Sequence, residues 1–368
     1  MALLKLLDPV RRMFTPAPAK PVPPAEPIAL QARRLAEAGQ YRDAIDLLAP
    51  VPAEELDLQT LRDLVSWRNA AFAPETGAPN WPPSVPDLFP GVQGPPEIPV
   101  KALTAELLGS AIQHHGCLLV RGLIDAAQTQ HLAGLVTRSL DIGTAGLENI
   151  DQDSWSPDTH QPPSPAFAPY PLKPSGGDVL SNKGRLFGLT SGGVWMGDAP
   201  GALADYLAFL KTHGIVRVIE QYLGERAYLS LGKATLRRVK PDALTAWHQD
   251  GRFLGPDIRT VNCWLALSDC GDEAPGLDLF PRREAALVES GIQGAFDWWI
   301  VGDGTADEIG RTTPFVTPSF KAGDALLFDQ MLLHRTSARK GLTRDRLAIE
   351  SWFFAGSTFP MKQMPLAL

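Results

Sequence analysis

Trp247-His248-Gln249-Asp250-Gly251 is the stretch on which the reading of this 368-residue chain turns. In an extended segment residues i and i+2 project to the same side, so the His248 imidazole and the Asp250 carboxylate can reach one ion while Gln249 points away. Alone the pair is weak, because seven histidines and 41 acidic residues supply roughly one His-x-Asp/Glu by chance. A third candidate ligand strengthens it. His334, 84 residues after Asp250, is the only histidine downstream. Two imidazoles and one carboxylate are the ligand set that holds Fe(II) on one face and leaves its other positions open.

Twelve residues beyond His334 comes Arg346. It opens a strand whose alternation puts Leu347, Ile349, Ser351 and Phe353 on one face and Arg346, Ala348, Glu350 and Trp352 on the other. A guanidinium sharing a face with a small alanine reads as inserted into a lined cavity, where it can grip a carboxylate with two parallel hydrogen bonds. Arg344 is its rival for that role. Over 260–268, Thr260, Asn262, Trp264, Ala266 and Ser268 alternate with Val261, Cys263, Leu265 and Leu267. If the apolar face packs on exterior helices, Asn262 and Trp264 look into the cavity as co-substrate or substrate contacts; the other reading has Trp264 filling the core. Trp298 and Trp299 read either as packing or as a substrate cage.

Around these residues short β-type segments (227–239, 260–268, 325–328 and 346–354) are separated by turn sequences such as Lys240-Pro241-Asp242 and Ala322-Gly323-Asp324. This predicts an antiparallel sandwich or barrel, a jelly roll. Upstream, Gly116 and Asp125 mark a helix stop and a helix start, giving helix (103–114), strand (117–123) and helix (126–140), with a further helical run over 202–223. The fold class is therefore α+β. About sixty residues after 140, rich in Gly, Pro, Ser and Asp, are a candidate lid.

The organisation expected is a flexible proline-rich N-terminus (1–27), a helical module (28–73), a proline-rich linker (74–99) and the main domain (100–368). Within the module AEAGQYRDAIDLL resembles part of a tetratricopeptide repeat, but a single copy cannot bury its own faces, so a helical hairpin packed on the main domain or joined loosely to it is expected. It is also the candidate surface for a protein partner.

A formal charge of −7 and a pI near 5.5 argue against nucleic acid or an anionic membrane as partner, since both need concentrated Lys and Arg. Three cysteines without a CxxC pair read as a reducing, cytoplasmic setting without disulfides or structural zinc. His114 and His115 are adjacent at a helix end and splay apart, which is poor metal geometry. The glycine-rich pieces SGGVWMGDAPG and VGDGTADEIG lack the Walker lysine pattern.

From residue 101 to 354 the chain resembles the phytanoyl-CoA dioxygenase (PhyH)-like family of Fe(II)/2-oxoglutarate-dependent oxygenases. The matching pieces are GCLLVRGLID, WHQDG, TVNCWLALSDC, the APGLDLFPRR turn, KAGDALLFDQMLLHRTS and RDRLAIESWF. The resemblance implies a double-stranded β-helix flanked by helices, iron held by His248, Asp250 and His334, and the distal carboxylate of 2-oxoglutarate on Arg346. It further implies use of O2, release of succinate and CO2, and hydroxylation of a small organic molecule. Related halogenases replace the iron carboxylate with a small residue, so Asp250 favours hydroxylation over halogenation. Two alternatives stand beside this: a cupin-type metalloenzyme that does not use 2-oxoglutarate, and a non-catalytic binding or regulatory protein.

Overall fold

Apolar residues at three- and four-residue spacing fold the N-terminal module into α1 (Ile28–Glu37), α2 (Tyr41–Leu48) and α3 (Leu58–Ala70). The Asp57 side chain caps α3 by accepting from the Thr60 amide at 2.6 Å. Ala44, Ile45, Leu48, Leu61 and Leu64 bury together against Tyr228 and Ala367 of the main sheet. Polar groups seal the junction: Arg68 donates to the Ala367 carbonyl at 2.7 Å, Asn69 to Pro365 O at 2.9 Å, and Arg42 to the Tyr228 hydroxyl at 3.0 Å. The module is thus packed against the sheet. The computed structural model describes residues 26–74, 81–151, 155–157, 162–172, 180–244, 246–337, 339–360 and 362–368; most of the proline-rich N-terminus lies outside them.

Next along the chain come β1 (Glu97–Pro99), α4 (Ala105–His115), β2 (Cys117–Arg121), α5 (Ala126–Thr144), α6 (Asn182–Thr190), β3 (Gly193–Trp195), α7 (Pro200–Thr212), α8 (Ile215–Leu223) and β4 (Ala227–Val239). After them stand α9 (Gly251–Leu254), β5 (Thr260–Ala266), β6 (Gly276–Arg283), α10 (Asp303–Gly310), β7 (Ala325–Phe328), β8 (Leu332–Ser337), β9 (Arg346–Ala355) and β10 (Pro365–Ala367). The major sheet runs β1-β2-β7-β5-β9-β4-β10, with β3 also on β4, and β6 pairs β8 in a second sheet. Single bridges widen the second sheet: Leu279 to Val316, His248 to His334, and Trp247 to Val301.

Period-2 alternation sorts the major sheet into two buried faces. Val261, Cys263, Leu265, Leu327, Ile349 and Phe353 point outward onto α4, α5, α7 and α8. Trp264, Ala266, Leu326, Phe328, Ala348 and Trp352 point inward and meet Leu277, Leu279 and Leu332 of the second sheet. Two sheets closed on a shared core, with helices outside one of them, make the α+β double-stranded β-helix. Burying each of these large apolar side chains contributes about 1.5–3 kcal/mol, which makes this double layer the main source of stability.

Several expectations need correction. The run 202–223 is two helices, because Gly214 at φ 72° takes a left-handed conformation that ends one and starts the next. The piece read as the turn APGLDLFPRR forms β6, its Leu277 and Leu279 facing the core and Asp278 the other side. The sheet begins at Glu97, inside the stretch read as linker, since β1 pairs in parallel with β2. The lid candidate contains α6 and β3, while residues 152–154, 158–161 and 173–179 of it lie outside the described residues.

Candidate active site

Antiparallel pairing brings the two histidine-bearing segments together: the His248 amide donates to His334 O at 3.0 Å and the His334 amide to His248 O at 3.1 Å. Their rings lie 4.4 Å apart between centroids. One ligand atom from each of His248, Asp250 and His334 lies within 4.8 Å of the others. This is the spacing of donors that share an ion, and among the described residues it is the one such group.

Both imidazoles are pre-set for ligation. His248 Nδ1 sits 2.9 Å from Ala246 O and His334 Nδ1 sits 3.1 Å from Leu332 O. A carbonyl only accepts, so each Nδ1 carries the proton and each Nε2 keeps its lone pair for a metal. Burial, and then the neighbouring His248, holds the His334 imidazole down to about 4, so His334 is neutral over the physiological range. Gln249 points the other way, donating to Met331 O at 2.7 Å and accepting from the Val288 amide at 2.6 Å, and so pins the loop between two ligands. Behind the ligand strands Arg335 stacks 4.3 Å above Trp247 and donates to Asp278 at 2.9 Å.

Arg346 and Arg344 have opposite fates. Arg346 is fully buried, with its guanidinium 5.2 Å from the Trp264 ring and Nη1 donating to Gly276 O at 2.9 Å. Burial pulls it down to about 10. Arg344 is mostly exposed and sits 3.6 Å from exposed Glu273. Asn262 and Trp264 both face inward, at 3% and 1% exposure. Arg346 Nε, Trp264 Nε1 and Asn262 Oδ1 are buried without a hydrogen-bond partner among the described residues. An unpaired buried polar atom costs about 1–3 kcal/mol unless something pairs with it. Two of these three are donors, on Arg346 itself and on the indole beneath its guanidinium.

Sequence reasoning missed part of the cavity wall. Glu350 sits on β9 opposite Thr235, whose hydroxyl lies 3.3 Å from it, and Arg237 lies 3.9 Å away. Burial raises the Glu350 carboxyl, but the Arg237 and Arg346 guanidiniums outweigh it and hold the group low. Lys233 lies 4.0 Å over the Phe253 ring. Trp299 meets the His248 ring edge-on at 5.5 Å, which takes it out of plain core packing, whereas Trp298 is 59% exposed. Glu350 was legible from the alternation around Arg346; Lys233 and Arg237 were not, for a reason found in β4. His114 and His115 contact Val85 O and Asp87, away from the triad.

Residues 202–346 match the family model of phytanoyl-CoA dioxygenase (PhyH), a span that contains His248, Asp250 and His334 and ends on Arg346. Over this region the chain is similar to that family. None of the curated proteins compared with it matches. Among solved structures, it is similar to EctD from S. alaskensis with 2-oxoglutarate and 5-hydroxyectoine, at 16% identity and TM-score 0.43, covering 74% of this chain and 87% of that one. The non-heme alpha ketoglutarate dependent epimerase SnoN from nogalamycin biosynthesis is similar at 17% identity and TM-score 0.40, covering 68% and 81%. The corresponding carbocyclase SnoK is similar at 13% identity and TM-score 0.45, covering 71% and 87%.

Proposed function

We propose that the protein is an Fe(II)- and 2-oxoglutarate-dependent oxygenase that hydroxylates a small organic molecule. The observation that carries this is the triad, with one ligand atom from each of two imidazoles and a carboxylate within 4.8 Å of one another and both Nδ1 protons tied to backbone carbonyls. Donors of this kind suit a borderline divalent ion, and a set of two nitrogens and one oxygen fits the proposed iron. Fe(II) and 2-oxoglutarate, when bound, supply the electrons that activate O2, with succinate and CO2 as by-products.

The chain's own contribution is positioning and exclusion. His248, Asp250 and His334 would hold the ion through three ligand atoms, a set that would leave further positions open to co-substrate and O2. Arg346, with Trp264 Nε1 beside it, is placed to receive the distal carboxylate of 2-oxoglutarate, an anion that satisfies the unpaired donors. Phe328, whose ring lies 5.0 Å from His334, and Trp352, 5.7 Å from Phe328, keep that side dry and so strengthen each electrostatic contact. Asn262 lines the same pocket as a co-substrate contact.

Anaerobic titration of Fe(II) and then 2-oxoglutarate into the purified protein should give a visible metal-to-oxoglutarate charge-transfer band. That band should be absent in His248→Ala, and in air the wild type should release succinate. A wild type that binds Fe(II) but gives no band and no succinate would sink the assignment to this class. In the described residues no helix is long and apolar enough to cross a membrane.

A further inference from the structure

Strand β4 contains an irregularity that the proposed reaction has not used. Leu229 pairs with Phe353 and Ala234 with Ser351, so residues 230–233 stand against Trp352 alone. Leu229 and Leu231 point outward into the helix-facing core, as do Ala234 and Leu236. The alternation therefore changes parity inside this bulge, and bulges re-aim side chains in this way. Uninterrupted alternation from Leu229 would carry Lys233 into the outer apolar core; instead it turns inward, where Asp250 and Glu350 are the carboxylates that face it. The bulge is built firmly. Ser230 Oγ accepts from the Lys233 amide at 3.2 Å and donates to Gln363 Oε1 at 2.8 Å.

The Lys233 ammonium rests on the Phe253 ring at 4.0 Å and has no hydrogen-bond acceptor among the described residues. Phe253 also lies near-parallel to the His248 ring at 6.5 Å, and Trp299 stands edge-on to both, 5.5 Å from His248 and 6.3 Å from Phe253. The three rings form an aromatic wall beside one metal ligand, with the Lys233 cation at its edge. Once Asp250 is engaged by the ion and Arg346 by the co-substrate, Lys233 and Arg237 face Glu350 alone. One positive charge is then uncompensated in a desolvated pocket, which is costly until an anion enters.

We propose that Lys233 anchors a carboxylate of the substrate, whose apolar body packs against the rings of Phe253 and Trp299 beside His248. This names a substrate class, an apolar organic acid, and rests on the oxygenase reading of the same site.

The test is calorimetric binding of 3-phenylpropionate and its uncharged amide to protein loaded with Mn(II) and saturated with 2-oxoglutarate. Wild type should bind the acid about ten-fold or more tighter than the amide, the worth of one charge-assisted hydrogen bond. Lys233→Met and Lys233→Gln should lose that preference while keeping the amide affinity, which shows the aromatic wall intact; Lys233→Arg should retain it. Equal affinities for acid and amide in wild type would overturn the proposal, as would a preference that survives Lys233→Met and Lys233→Gln and vanishes in Arg346→Ala. The Mn(II) titration reports separately on the metal centre. If the ion does not bind, the oxygenase reading fails, whereas bound Mn(II) with equal affinities for acid and amide overturns the Lys233 proposal alone.

Discussion

Two arginines two positions apart show how much a single residue's direction decides. Alternation placed Arg346 on the face of Ala348 and Glu350, and there it is buried over Trp264, while Arg344 is exposed beside Glu273. Losing a buried charge partner costs about 2–5 kcal/mol, so Arg346→Ala should weaken 2-oxoglutarate binding by about a hundred-fold or more. Arg344→Ala, at the surface, should stay within about 0.5 kcal/mol of wild type by the same titration. Arg346→Lys should not restore affinity, because an ammonium cannot replace both arms of the guanidinium. The triad residues were legible for a related reason: the His-x-Asp spacing is local, and His334 was the one histidine left downstream. Which ring nitrogen each histidine offers was not legible, since the carbonyls of Ala246 and Leu332 decide it.

At the scale of elements, helix ends were readable and loop anchors were not. Asp125 caps α5 in a capping box with Gln128, and Asp125→Ala should cost about 1 kcal/mol in urea unfolding. Gly116, at φ 80°, would place a Cβ only 2.5 Å from the Arg282 carbonyl, so Gly116→Ala should destabilise by well over the roughly 1 kcal/mol of an ordinary helix-end change. Both were marked by residue type alone. Asp198 was not. It accepts from Arg185 Nε at 2.5 Å and from the Tyr170 amide at 2.8 Å, tying α6 to the segment before it, and the ion pair is almost fully buried. Asp198→Ala strands the Arg185 charge and should cost about 3–5 kcal/mol, measured as a shift in urea midpoint. A loss under about 1 kcal/mol would mean that water or another carboxylate reaches Arg185.

For the whole molecule, both faces of the major sheet are dry, and the three cysteines report on it. Burial pushes the Cys263 and Cys270 thiols up to about 12 from an ordinary 9.0, and Cys117 higher still. A raised value in the folded state means that the native protein keeps protons the unfolded chain releases. Stability from these groups is full below pH 9 and is lost as pH rises from there towards about 12. The urea midpoint should therefore fall across that window, and native thiols should resist a thiol reagent at neutral pH until the protein is unfolded. Sequence by itself determined what repeats at short range: strand faces, helix caps, the spacing of His248 and Asp250, and the order in which the triad and Arg346 arrive. Tertiary structure alone decided what depends on a change of parity or on a distant partner: β6 as a strand, the inward turn of Lys233 and Arg237, and the contact of Trp299 with His248. The physical reason is that alternation is a rule of period two, and one bulge in β4 reverses it for every later residue of the strand. The motif at Trp247–Gly251 locates the metal, whereas the bulge at 230–233 decides what charge lies beside it.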